Sequence, residues 1–219
     1  MKPIIIFGAG EIAQIARTYF EQFSERKIVA FTVDKQFLKG KTFDGLPLIS
    51  SDEISSLYPA SDFDCFVAIS YQNMNETRKA KCELMRSLGY QLASFVFPDF
   101  STRNVSKGDN CLILENDTIQ PFVEIGNNVF LWSGNHIGHH VKISDDVFVS
   151  SHVVIGGGTV IGSGSFLGLN VTVRDHVTIG ERSLLGAGTL VGQDLSAESV
   201  VTAKPSPISK VKSSMIGKI

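Results

Sequence analysis

Residues 137–162 read IGHHVKISDDVFVSSHVVIGGGTVIG, and the spacing inside this stretch decides the fold. Ile137, Ile143, Val149, Ile155 and Ile161 stand six apart. The same step runs outward in both directions, back through Leu131, Ile125 and Ile119 to Ile113, and on through Leu167, Val173, Ile179 and Leu185 to Val191. All fourteen positions are aliphatic. If about a third of positions were aliphatic by chance, such a run would arise less than about once in a million. The residue after the aliphatic is often small, as at Gly126, Gly138, Gly156, Gly162 and Gly168. Two places before it stands Val or a small residue, as at Val129, Val141, Val147, Val153 and Thr159.

A period of six fits neither an α-helix (3.6) nor a plain alternating strand (2.0). It fits short strands joined at regular corners. The aliphatic and its partner two places earlier share one strand face, so both point inward. The Gly or Ser beside them is expected to let the backbone turn. Three strands then close a triangular coil of eighteen residues, and coils stack at the ~4.8 Å strand spacing. Fourteen hexapeptides make between four and five coils of a parallel β-helix. The competing explanation is a β-sandwich with fortuitous spacing.

The first hundred residues read differently. Residues 3–7 (PIIIF) are an apolar run that enters Gly8-Ala9-Gly10, a buried strand followed by a tight turn. From Glu11 the apolar residues Ile12, Ile15, Ala16, Tyr19, Phe20 and Phe23 recur at helical spacing. Residues 27–33 read as a second strand ending at Asp34, 63–69 as another followed by Ser70, 77–88 as a helix and 92–97 as a last strand. Strands alternating with helices imply a small parallel α/β sheet. Polar residues 99–110 lead into the repeat.

Gly8-x-Gly10-x-x-Ala13, with Asp34 after the next strand, is close to a dinucleotide fingerprint. About 100 residues leave no room for the full two-halved fold, whereas one mononucleotide half fits. Amides at the helix start would then meet a phosphate, which points to a nucleotide or nucleotide sugar. The alternative is a glycine turn that serves only helix–sheet packing.

Whole-chain composition excludes several classes. There are 219 residues, 20 Lys+Arg against 22 Asp+Glu, a formal charge of −2, 43% hydrophobic and 19% charged residues. That is no basic face for a nucleic acid and no disordered composition. No apolar run approaches the ~18 residues of a membrane span, and the first residues are too short for a signal-peptide core. Cys65, Cys82 and Cys111 are odd in number and lack metal spacing, so reduced cytoplasmic thiols are expected.

Four of the five histidines lie within seventeen residues: His136, His139, His140 and His152; the fifth is His176. His139 falls two places after its aliphatic, while His140, His152 and His176 fall three places after theirs. These slots face outward or sit at a corner. One histidine could be a general base, since an imidazole titrates near neutral pH. Zinc, as in β-helical carbonic anhydrases, is a second possibility, although no His-x4-His pair is present. A solvated face is a third. Eighteen residues beyond His139 comes Gly157, which would sit beside it, leave room for an acyl chain and offer an N–H to an oxyanion.

The chain resembles the bacterial sialic acid O-acetyltransferase (NeuD-like) family of hexapeptide acyltransferases, in the branch that acetylates nucleotide-linked amino sugars. The resemblance rests on the short Gly-x-Gly α/β domain followed by the hexapeptide helix and covers essentially the whole chain. It implies a left-handed β-helix, acetyl-CoA as donor, a cytoplasmic homotrimer and an N-terminal domain that holds the UDP or dTDP end of the acceptor, in bacterial surface glycan (lipopolysaccharide or O-antigen) biosynthesis. It implies His139, four before Ile143, as the catalytic histidine, with His140 where the family usually has an acid. The second family histidine falls at Phe148. Gly157 matches a glycine near the thioester, and Leu169 and Ala187 match positions that line the coenzyme. On the nucleotide side the matches are Gly8, Gly10, Asp34, Lys35, Ser70, Asn75 and Arg78.

The expected architecture is therefore α/β followed by β: a Rossmann-like domain over 1–100, the β-helix over 101–195 and a tail over 196–219. Val129, Phe130 and Trp132 are expected to form a subunit contact. The basic tail (Lys204, Lys210, Lys212, Lys218) is expected either to meet coenzyme phosphates or to be solvated. The expected activity is N-acetylation of a nucleotide-linked amino-deoxy sugar without a metal. The rivals are O-acetylation of a sugar hydroxyl and a non-catalytic nucleotide-sugar-binding solenoid.

Overall fold

The computed structural model describes residues 1–98, 104–215 and 217. Residues 99–103, where the expected domain boundary falls, and Lys218 of the basic tail lie outside the described residues.

Strand β1 (Ile4–Phe7) is apolar at every position and wholly buried, as an interior strand of the N-terminal sheet must be. Helix α1 (Glu11–Phe23) lays Ala13, Ala16 and Phe20 against it. Strand β2 (Ile28–Val33) follows, then β3 (Thr42–Phe43), β4 (Leu46–Ser50), the short helix α2 (Ile54–Leu57), β5 (Asp64–Val67) and α3 (Glu76–Ser87). The sheet order is β3-β4-β2-β1-β5, parallel except for the β3–β4 hairpin. This is one mononucleotide-type half, as the length allowed. The hairpin was not expected; its turn is Asp44-Gly45, both with positive φ.

The strand expected over 92–97 is divided between two sheets. Leu92 bridges to Cys65 at the edge of the α/β sheet. Phe95–Val96 (β6) instead pairs in parallel with Leu112–Ile113, the first expected rung of the coil.

From residue 106 the chain winds as a left-handed triangular solenoid. Each two-residue strand pairs in parallel with the one eighteen residues on, as Leu131 with Val149 and Val149 with Leu167. Three faces result. Face I carries Phe130–Leu131 and Phe148–Val149, face II His136–Ile137 and Val154–Ile155, and face III Lys142–Ile143 and Val160–Ile161. The second residue of each pair points inward, and these aliphatics with Val129, Val141, Val147 and Val153 form one buried core. The ladder runs past the hexads at its C-terminal end, where Val200–Val201 pairs with Leu184–Leu185.

The turns are made two residues later than expected. The backbone enters the left-handed region three residues after each aliphatic from Ile113 to Leu185; Asn116, Asn128, His140, His152, Asn170 and His176 all have φ between +56° and +62°. Asn and His tolerate this region better than most residues. The glycines directly after the aliphatics have a different role, because the next coil leaves no space for a side chain. A Cβ at Gly138 would stand 2.6 Å from the Gly157 nitrogen.

Face I is covered by the chain's own N-terminal domain. Phe130, Phe148, Leu112 and Leu114 share a core with Phe20, Phe66 and Phe95, and Phe66 stacks on Phe130 at 5.8 Å. The expected subunit contact at Phe130 and Trp132 is thus an interface within one chain, and Val129 points into the coil.

Candidate active site

His139 and His140 sit at the corner between faces II and III. The following coil brings Gly157 against them. A Cβ at Gly157 would lie 2.7 Å from His139 Cε1 and 2.8 Å from Nε2. The imidazole therefore lies over a bare α-carbon, the juxtaposition that eighteen-residue stacking implied. The His139 N–H donates to Gln120 Oε1 at 2.8 Å, and the His139 carbonyl accepts from Gly158 N–H at 2.8 Å, so the ring hangs from a fixed backbone. The Gly157 carbonyl accepts from His176 N–H. The Gly157 N–H has no hydrogen-bond acceptor among the described residues. The Nδ1 atoms of His139 and His140 are 3.1 Å apart, and the His140 ring stacks on Phe122 at 4.8 Å. Both histidines are exposed in the single chain. Among the described residues no three His, Cys, Asp or Glu side chains gather as donors for a metal ion.

A second site lies in the N-terminal domain. A cleft of about 640 Å³ opens where β1, β2 and β5 end, lined by Gly8, Gly10, Asp34 and Ser70 among others. Gly8 has φ +132°, and a Cβ there would stand 2.6 Å from the Ala68 carbonyl oxygen, so the turn requires glycine. Gly10 caps α1 and has nothing within 4 Å of a built Cβ. Packing does not explain its glycine. The Asp34 carboxylate pairs with Lys81 at 2.7 Å. Lys81, Thr77 and Tyr71 line the cleft and were not anticipated, although Thr77 and Lys81 lie four apart on one face of α3.

Other expected site residues lie elsewhere. Lys35 is exposed in the turn after β2 and does not line the cleft. Asn75 and Arg78 are wholly buried between the domains. Asn75 Nδ2 donates to the Gly164 and Ser165 carbonyls of the coil. Arg78 Nε donates to Asn128 Oδ1 at 2.9 Å, its other nitrogens donate to carbonyls of both domains, and its guanidinium lies 4.3 Å above the Phe130 ring. Burial lowers its pKa to about 10. These two residues join the domains and do not line the cleft. Leu169 and Ala187 stack eighteen residues apart at the corner between faces I and II, away from the corner of His139 and Gly157.

The cysteines are inert by environment. All three are free and buried, and burial pushes each thiol pKa up, that of Cys82 to about 12. No helix among the described residues is long and apolar enough to cross a membrane.

Residues 122–157 and 158–193 match the bacterial transferase hexapeptide (six repeats) family, and residues 1–88 match the C2185-like N-terminal family. No curated protein sequence matches the chain. Among solved structures, the fold is similar to PerB from Caulobacter crescentus in complex with CoA and GDP-perosamine (TM-score 0.81, 21% identity, 91% of this chain and 93% of that one). A histidine-to-asparagine variant of perosamine N-acetyltransferase from the same organism, also with CoA and GDP-perosamine, matches with TM-score 0.82 at 20% identity and the same coverage. The acetyltransferase domain of PglB from Neisseria gonorrhoeae, in complex with acetyl coenzyme A, matches with TM-score 0.79 and 21% identity over 94% of this chain and 99% of that one.

Proposed function

We propose that the chain is an acetyl-CoA-dependent N-acetyltransferase that acts on the amino group of a nucleotide-linked amino-deoxy sugar. The observation that carries this reading is the His139 imidazole lying over Gly157, whose N–H has no acceptor among the described residues. His139 Nε2 takes a proton from the acceptor amine, which needs a free lone pair to attack the thioester. The Gly157 N–H donates to the oxygen on which negative charge develops. Coenzyme A then leaves as the thiol, its sulfur taking the proton from His139. A positioned base supplies about 10²–10⁴-fold and an oxyanion donor about 10²–10³-fold.

The nucleotide end of the acceptor binds in the N-terminal cleft, with its phosphates at Gly10 and the start of α1. That cleft belongs to the domain packed on face I, whereas His139 stands at the II/III corner, the vertex opposite that face. Each side of the triangle holds six residues, at most ~20 Å at ~3.3 Å per residue. Within one chain, the cleft and the histidine therefore lie on opposite sides of the coil. A homotrimer resolves this, with the cleft of one subunit serving the His139 corner of a neighbour. The same arrangement would bring the I/II corner of Leu169 and Ala187 beside an adjacent II/III corner, where they would line the pantetheine. Face II supports such a contact, because Val154 and Leu190 are exposed on it at 42% and 71%. The setting proposed is cytoplasmic assembly of a bacterial surface glycan.

The test is thiol release from acetyl-CoA with a panel of UDP-, dTDP- and GDP-linked amino sugars and the matching hydroxy sugars. Turnover with an amino sugar supports the reading. Turnover with hydroxy sugars alone would make the protein an O-acetyltransferase, and no specific acetyl-CoA binding by calorimetry would make it a binding solenoid.

A further inference from the structure

The two histidines of the II/III corner form a device of their own. Their Nδ1 atoms stand 3.1 Å apart with ring planes at 83°. At that distance one Nδ1 carries the hydrogen and the other accepts it. Two neutral arrangements are possible. If His139 donates, its Nε2 is a bare lone pair and His140 carries its proton on Nε2. If His140 donates, the His139 Nε2 is protonated and cannot act as a base. The pair therefore presents one basic Nε2 at a time, and the direction of the shared hydrogen bond decides which.

We infer that His140 is a positioning residue that accepts the Nδ1–H of His139 and so holds its Nε2 free toward Gly157. The inference rests on the acetyl-transfer reading for its purpose, but not for its geometry. Other contacts fix the acceptor ring. His140 is locked at a left-handed corner (φ 58°), its N–H donates to the Pro121 carbonyl, and Phe122 stacks on its face. The neighbours packed against the two rings are uncharged: Phe122 of the preceding coil stacks on His140, and Gly157 of the following coil lies beneath His139. The next titratable groups along this corner are Asp175, in register with His139 one coil beyond Gly157, and His176, whose ring lies over Gly158.

Add one proton to the pair. If it resides on His139, both nitrogens of that ring are protonated. If it resides on His140, that ring must donate from Nδ1, and His139 must carry its own proton on Nε2. Either way the base is lost, so activity follows the first protonation of the coupled pair and not of one residue.

Two measurements test the inference. Ring-nitrogen NMR of the full-length protein above neutral pH reads the tautomer without any turnover; His139 should be the Nδ1–H form. Replacing His140 with Ala should turn His139 toward Nε2–H and lower kcat about tenfold or more with little change in KM. His140→Asn should restore both, because Asn tolerates the left-handed corner and offers a neutral acceptor. His140→Asp should also restore activity, with the acidic limb moved to higher pH, since a carboxylate favours the imidazolium. A His139 found as Nε2–H in the unaltered protein, or a His140→Ala variant with unchanged kcat and pH profile, would overturn the inference. An Nδ1–H tautomer in a protein that transfers no acetyl group would refute the functional reading and leave this one standing.

Discussion

The imidazole of His139 and the α-carbon of Gly157 are in direct contact across adjacent coils, so close that a methyl group at 157 would lie 2.8 Å from Nε2. Gly157 does not have a positive φ, so alanine is compatible with its backbone. Gly157→Ala should therefore fold normally while displacing the His139 ring. We expect unchanged thermal unfolding and a fall in kcat of about tenfold or more, read by thiol release. Unchanged kcat would separate the glycine from the chemistry.

Replacing His139 with Ala should lower turnover by about 10²-fold or more and leave nucleotide-sugar affinity unaltered, because the cleft lies in the other domain. Isothermal titration beside steady-state kinetics distinguishes the two quantities. A matched loss of binding would show that His139 holds substrate and does not move a proton.

Complementation between two inactive variants tests whether the site is shared between subunits. His139→Ala keeps the cleft, and Gly8→Val, which strikes the Ala68 carbonyl, disables it. Co-refolded as mixed trimers, they should recover about a quarter of wild-type activity by random pairing. No recovery from mixed trimers that have formed would mean that cleft and histidine act within one chain.

Asp117 gives a stability prediction. It occupies an inward slot of the first coil, where burial pushes its pKa up to about 7, opposed by the hydrogen bond that its Oδ1 accepts from Asn135 N–H. Its Oδ2 is buried without a partner. The folded pKa lies above the unfolded value of ~3.9, so the folded state binds more protons. The stability this group contributes is complete below about pH 4 and is lost as pH rises toward 7. Asp117→Asn should raise Tm at pH 8 and change it little at pH 4. Asn135 shows that an amide fits such a slot, donating its own backbone N–H to the coil before it and accepting from Val153 N–H in the coil after it. A variant less stable at pH 8 would show that the charge is accommodated.

The coil was legible because its signal is redundant. Fourteen aliphatics repeat one message, and the eighteen-residue step follows from it, which is why the contact of His139 with Gly157 could be anticipated. The function of the small residues was misjudged, since sequence alone does not separate a glycine needed for a turn from one needed beneath a neighbouring coil. The αL corners at His140, His152 and His176 also show that part of the histidine cluster answers a backbone demand. Arg78 and Asn75 misled because a buried polar residue that joins domains reads the same as one that meets a ligand; only Asn128 and Gly164, fifty and eighty-nine residues away, settle it. The Asp44-Gly45 hairpin carried a usable turn signal between two short strands. The division of 92–97 between two sheets had no local signal, because both sheets accept the same apolar residues.

The most direct test of the central claim is a crystal structure with coenzyme A and a nucleotide-linked amino sugar. The sulfur and the sugar nitrogen should lie within about 3–3.5 Å of each other, with the nitrogen against His139 Nε2 and the Gly157 N–H beside the sulfur, and the nucleotide should enter from a neighbouring subunit's cleft. A coenzyme whose sulfur lies away from the II/III corner, with His139 and Gly157 touching neither ligand, would contradict the account.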